Sequence, residues 1–179
     1  MALFVSGILL ASSTLPWSTR IPKPFNADYA ARRIAAFPPG KLVLFLDLTC
    51  PASKRLARFV RGSDIIPKFV SLGSEPNAAV HTTMYIVPAD RRAALAQALL
   101  ESDGRWATAR NIVGEFGVDL TGTDTLESSE WSVALKLSQA DQDLAEGIAL
   151  GYVPVGVLNE RGTLRPFVGQ DLLRHLQNR

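Results

Sequence analysis

Residues Lys41–Arg61 read KLVLFLDLTCPASKRLARFVR, and the reading of this stretch decides the fold. Leu42-Val43-Leu44-Phe45-Leu46 is apolar at every position, the pattern of a strand covered on both faces. Asp47-Leu48-Thr49 ends the run, and Cys50, the only cysteine in the chain, follows. Pro51 comes next; proline suits the first position of a helix, where its missing N–H would be unpaired in any case. Behind it, Leu56, Ala57, Phe59 and Val60 predict one apolar helical face, and Lys54, Arg55, Arg58 and Arg61 the other. The sole thiol is therefore expected where a buried strand hands over to a helix. Free N–H groups and the dipole of a helix start favour a thiolate. Four cations follow the sulfur, and no acid stands between Asp47 and Asp64. Such surroundings make a cysteine reactive; the competing reading is an inert cysteine that fills space.

The totals narrow the possibilities further. A chain of 179 residues supports one domain with a real core and is too short for two comfortable ones. A net charge of +2 implies no strong nucleic-acid or membrane field. The charge is uneven: Asn111–Gly151 holds eight acids and one base, Lys136, which leaves +9 on the rest. One cysteine excludes an intrachain disulfide framework and a self-contained dithiol cycle. No cysteine–histidine zinc spacing exists, and His81 and His175 are the only histidines; His81, in an expected strand, and His175, in the last helix, read as packing or surface residues. There is no Gly-x-Ser-x-Gly elbow, phosphate loop or dinucleotide fingerprint. No metal and no cofactor are expected.

Read in order, Ala2–Ala11 (ALFVSGILLA) has the length of a signal peptide, with Ala11-Ser12-Ser13 as small residues for cleavage and no basic n-region. The run is too short for a membrane span; its alternative is a strand or helix packed on the domain. Leu15–Gly40 contains Pro16, Pro22, Pro24, Pro38 and Pro39 and reads as an irregular lead-in, with Asn26 capping a short helix. Residues 1–40 thus form an apolar and proline-rich lead-in, and 41–179 the domain. Asp64–Leu72 is open between a short helix and a strand, KFVSL. Val80–Val87 (VHTTMYIV) is β-branched and reads as the second strand. Arg91–Glu101 and Trp106–Phe116 read as helices, then Glu130–Leu137 and, capped by Ser138, Gln139–Ile148. Gly151-Tyr152-Val153-Pro154-Val155-Gly156-Val157-Leu158 opens a hairpin through Asn159-Glu160-Arg161-Gly162. Thr163–Val168 returns, and Gln170–Gln177 closes the chain as a helix. Trp17, Trp106 and Trp131 read as packing residues.

Asp47-Leu48-Thr49-Cys50-Pro51-Ala52-Ser53-Lys54 resembles the active-site segment of the thioredoxin-fold disulfide oxidoreductases, above all the catalytic domain of bacterial periplasmic isomerases of the DsbC and DsbG type. Their pattern is a strand, Asp-hydrophobic-Thr-Cys-x-x-Cys and a basic helix. The helix-GYVPVGVL-turn-TLRPFVG-helix tail resembles the ββα half of the same fold. The resemblance implies a central mixed sheet flanked by helices, with a helical insertion between the second strand and the tail. It implies that Cys50 is the attacking thiol and that Pro154, on its own an ordinary proline at a strand start, is a cis-proline facing it. Ser53 stands where the resolving cysteine should be. Catalysis would then rest on Cys50, Ser53 and Pro154, with Ser53 able to donate a hydrogen bond to the sulfur. Thr49, Pro51, Ala52 and Val153 would contact substrate. The expected activity is monothiol exchange, isomerase- or reductase-like, on protein or peptide thiols and disulfides. An external thiol reductant or redox partner protein would resolve the adduct, in a periplasmic or secreted setting. The alternative is a redox-inactive module that binds extended peptides or partner proteins.

Overall fold

A computed structural model describes residues 25–71, 75–103, 105–120, 128–148 and 153–179. The apolar run Ala2–Ala11, its cleavage residues, Pro16, Trp17, Pro22 and Pro24 lie outside the described residues, as do Gly73, most of the Gly122–Ser129 loop and Gly151-Tyr152.

The central strand forms where the apolar run predicts it. β1 (Leu42–Leu46) is buried at all five positions. Alternate side chains leave on opposite faces. Leu42, Leu44 and Leu46 join one core cluster, with Val80, Met84, Leu95, Leu99 and Leu172. Val43 and Phe45 join the other, with Phe37, Leu144, Ile148 and Val155. Truncating a buried aromatic such as Phe45 to alanine costs about 3–5 kcal/mol. α1 (Ala27–Arg32), capped by the Asn26 side chain on Tyr29 N–H, covers the second face together with α6 (Ser129–Gly147). The Tyr29 ring occupies the space a Cβ on Gly147 would need.

The sheet has four strands in the order β2-β1-β3-β4, where β2 is Ile65–Phe69, β3 Val155–Glu160 and β4 Thr163–Val168. β1 is parallel to β2 and antiparallel to β3, and β4 is antiparallel to β3. The hairpin turn places Arg161 at φ 53° and Gly162 at φ 92°, the two positive angles a tight type I′ turn demands. α7 (Gly169–Gln177) packs so closely that a Cβ on Gly156 would lie 2.7 Å from Leu172 Cδ1.

Three expectations are corrected. Val80–Val87 is not a strand: α3 runs Glu75–Ile86. Val80, Met84 and Val87 fall at helical spacing and all enter the core, so burial overrides β propensity, a weak preference. The Thr82 and Thr83 hydroxyls are met inside the helix, on Ala78 O at 3.0 Å and Val80 O at 2.6 Å. The second strand is instead β2. Secondly, the predicted pair of helices split at Ser138 is the single helix α6, capped by Ser128 on Trp131 N–H; a serine with no glycine or proline beside it does not break a helix that packs through one continuous face. Thirdly, the basic helix is short. α2 covers only Pro51–Lys54, and a 3₁₀ turn, Ala57–Phe59, follows. The apolar side chains still bury as predicted, with Leu56 at 2% and Val60 at 1% exposure. So short a helix sums few peptide dipoles. α4 (Ala89–Glu101) and α5 (Trp106–Glu115) complete the helical insertion.

β2 is an edge strand that carries a proline, and outward N–H groups at both of its ends are met. Val70 N–H bonds inward to Leu46 O, so residues two apart from Ile65 to Ser71 point outward. Ile65 N–H finds Gly62 O, Pro67 has no N–H, and Ser71 N–H meets Gln142 Oε1. Tyr85 donates to Asp141, whose other oxygen pairs with Lys68. Burial first, and then the Asp141 carboxylate, hold the Tyr85 phenol well above its usual range.

The packing makes two outcomes measurable. Asp141→Ala leaves the Lys68 ammonium and the Tyr85 hydroxyl without their acceptor and lowers stability by about 3 kcal/mol, read as a lower urea midpoint. His175 stacks on Phe167 at 4.1 Å and accepts from Arg179 Nε at 3.0 Å. Burial, then Arg179 and Arg165, lower its pKa from the usual 6.5. The unfolded chain therefore takes this proton first. The stability contribution is present above pH 6.5 and is lost as the pH falls towards the lower folded value. His175→Phe should flatten that part of a melting-temperature profile.

Candidate active site around Cys50

A buried strand that stops at a charged residue must satisfy the backbone it uncovers. Asp47 is 3% exposed, and each N–H from Asp47 to Cys50 has a defined acceptor. Asp47 N–H bonds Ser53 Oγ at 3.2 Å. Leu48 N–H bonds His81 Nε2 at 3.1 Å. Thr49 N–H bonds Asp47 Oδ1 at 2.8 Å, and the Thr49 hydroxyl donates to the same oxygen at 2.7 Å. Cys50 N–H bonds Asp47 O at 3.1 Å. Cys50 itself is the N-cap of α2, with extended backbone (φ −73°, ψ 123°), and its carbonyl accepts from Lys54 N–H at 3.0 Å.

The sulfur is half-buried and faces a segment more than a hundred residues away in sequence. The Cys50 thiol donates to the Val153 carbonyl at 3.7 Å. The register explains the meeting: β1 and β3 run antiparallel with Phe45 opposite Val155. The chain just before β3 therefore passes the loop just after β1. The Val153–Pro154 peptide bond is cis.

Solved structures match this architecture, whereas no protein family and no curated protein sequence does. ScsC of Proteus mirabilis, in a transitional conformation, superposes with a TM-score of 0.62 at 18% identity, over 87% of this chain and 80% of that one. The thiol-disulfide exchange protein α-DsbA2 of Wolbachia pipientis gives 0.59 at 16% identity, over 85% and 94%. SrgA of Salmonella enterica serovar Typhimurium gives 0.55 at 13% identity, over 79% and 90%. The fold is thioredoxin-like. At these identities the likeness is one of fold.

Within this thioredoxin-like fold the sequence-predicted residues separate into two groups. Cys50, Val153 and Pro154 come together, and Thr49, Pro51 and Ala52 share the turn beside the sulfur, Pro51 exposed and the other two half-buried. Ser53 does not join them. It is completely buried, and its hydroxyl accepts from Asp47 N–H instead of donating to the sulfur. Lys54 is also committed, donating from Nζ to Ser102 O at 2.7 Å and tying α2 to the end of α4. Arg55, Arg58 and Arg61 remain exposed. Among the described residues, no group of three His, Cys, Asp or Glu side chains is placed to hold a metal ion, and no helix is long and apolar enough to cross a membrane.

His81 is the residue the sequence reading missed. It is 1% exposed, sits on α3 and holds the Cys50 loop. The available signal was a histidine next to Val80 and three before Met84, on the apolar stripe of a helix. Reading the segment as a strand hid that stripe.

Ser53→Ala removes the acceptor of a buried N–H. The expected loss is about 1–3 kcal/mol of stability, measured by urea unfolding, with the fold retained by circular dichroism.

Proposed function

We propose that the protein carries out thiol–disulfide exchange on protein or peptide clients with Cys50 as its single nucleophile. The observation that carries this reading is a half-buried Cys50 whose sulfur lies 3.7 Å from the Val153 carbonyl just before β3. A client segment lying along Val153 would bring its disulfide to the thiol, using backbone hydrogen bonds as an added strand does. Thr49, Pro51 and Ala52 flank the sulfur and would line the client, with Pro154 fixing the course of the Val153 backbone. The naming of α-DsbA2 as a thiol-disulfide exchange protein supports the reading.

The steps balance with one cysteine. The Cys50 thiolate attacks one sulfur of a client disulfide, forming a mixed disulfide and expelling the other client sulfur as a thiolate. Ser53 cannot reverse this, since a hydroxyl does not displace a disulfide sulfur. A client thiolate that attacks the mixed disulfide regenerates Cys50 and leaves the client isomerised. An external thiol, or the thiol of a redox partner protein, that attacks the Cys50 sulfur instead expels the client as its thiolate, so the client is reduced and Cys50 is left in a disulfide with the attacker. A second external thiol then attacks the attacker's sulfur, and the two leave as their own disulfide, releasing the Cys50 thiolate. A DsbC- or DsbG-like isomerase role belongs to the first route. A periplasmic or secreted setting suits both, since disulfides persist there.

A second reading has its own support. Ser53 is a buried latch for Asp47 N–H, so the loop is built without a second sulfur and would serve a module that only holds extended peptides. The two readings separate in one experiment. Wild-type protein mixed with a scrambled disulfide substrate should give adducts on non-reducing gels that dithiothreitol dissolves and Cys50→Ala abolishes. Ser53→Cys should shorten their lifetime and yield, by intact mass, an internal disulfide between Cys50 and the introduced thiol. A folded protein whose Cys50 forms no adduct with any disulfide overturns the exchange reading and leaves the binding module.

A further inference from the structure

We propose that His81 is a positioning residue for Cys50, fastening the thiol loop to the helical insertion. The inference rests on the exchange reading above and names what sets the reactive geometry of that site. The backbone N–H groups of the loop are met by Ser53 Oγ, His81 Nε2, Asp47 Oδ1 and Asp47 O. Three of those four acceptors belong to the loop or to α2. They would travel with the loop if it shifted. Among these four acceptors His81 alone comes from another element, α3, so its bond, together with the Lys54–Ser102 tie and the core packing of Leu48, fixes the loop relative to the body of the protein.

The chemistry of the contact is specific. Nε2 accepts from Leu48 N–H at 3.1 Å, so the ring carries its hydrogen on Nδ1. The Asp47 carboxylate oxygen lies 3.8 Å from the same nitrogen, too far for a hydrogen bond. It is taken up instead by both Thr49 donors. Leu48 is 2% exposed, so losing the imidazole leaves a buried N–H without that acceptor. The Leu48 side chain is in the same core cluster as Val80 and Met84, which flank His81 on α3. Packing and hydrogen bond thus act on one residue, two positions before the thiol.

The geometry distinguishes positioning from mere filling. A glutamine at position 81 can put its side-chain oxygen near the place of Nε2. An asparagine puts it near Nδ1, and a leucine fills space without an acceptor. The rate of Cys50 with the aromatic disulfide 5,5′-dithiobis(2-nitrobenzoate), which releases one coloured thiolate per cysteine attacked, is measured in the folded protein and divided by the rate in urea. Losing one buried hydrogen bond should lower this ratio about tenfold in His81→Leu and His81→Asn, with His81→Gln restoring most of it. Equal ratios in all four proteins, with the wild type reactive, overturn the role of His81 and leave the exchange reading standing. A wild-type thiol that does not react overturns the exchange reading, and the inference falls with it. Where a variant fails to fold, the unaltered protein gives the answer by nitrogen-15 resonance. A coupling across the hydrogen bond between Leu48 N and His81 Nε2 is expected, and a hydrogen found on Nε2 would overturn the proposal.

Discussion

β1 is buried along its whole length, and the chain leaving it has to satisfy four successive backbone donors, the first two on buried residues. That requirement shapes everything around the sulfur. Asp47 turns its carboxylate back onto Thr49, Ser53 reaches under the loop, and His81 reaches across from α3. A buried N–H without an acceptor costs about 1–3 kcal/mol. A loop with several such groups has little freedom to rearrange. Cys50 is held at the mouth of a very short helix less by that helix than by the network beneath it.

The same economy governs the sheet. Its outer strand contains a proline that would disrupt a central strand, and the position is harmless because it points away from β1. The outward donors of Ile65 and Ser71 are taken by Gly62 and Gln142. The start of β3 lies beside Cys50. The antiparallel register of β1 with β3 delivers Val153 there, and close packing at Gly156 keeps β3 pressed beneath α7. Ser53 then has two consequences with one cause. Its oxygen completes the loop, and its lack of sulfur assigns release of any adduct to another thiol.

Much of this was legible in the amino-acid order. An apolar run at every position gave a strand covered on both faces, the proline after the lone cysteine gave a helix start, and Asn26 and the Arg161-Gly162 turn were read correctly from their local chemistry. These features depend on neighbours in the chain, so the sequence determines them by itself. Val80–Val87 was misread because β-branched residues favour strands only weakly, and the apolar stripe of α3 has meaning only once a core exists to receive it. Ser138 looked like a cap because serine often is one, but a continuous buried face runs past it. Only the tertiary structure decided that His81 lies under the thiol, that Ser53 faces Asp47 and not the sulfur, and that Val153 meets Cys50. Those contacts join residues from different elements, and a hydrogen bond between distant residues leaves no periodic trace in the sequence that makes it.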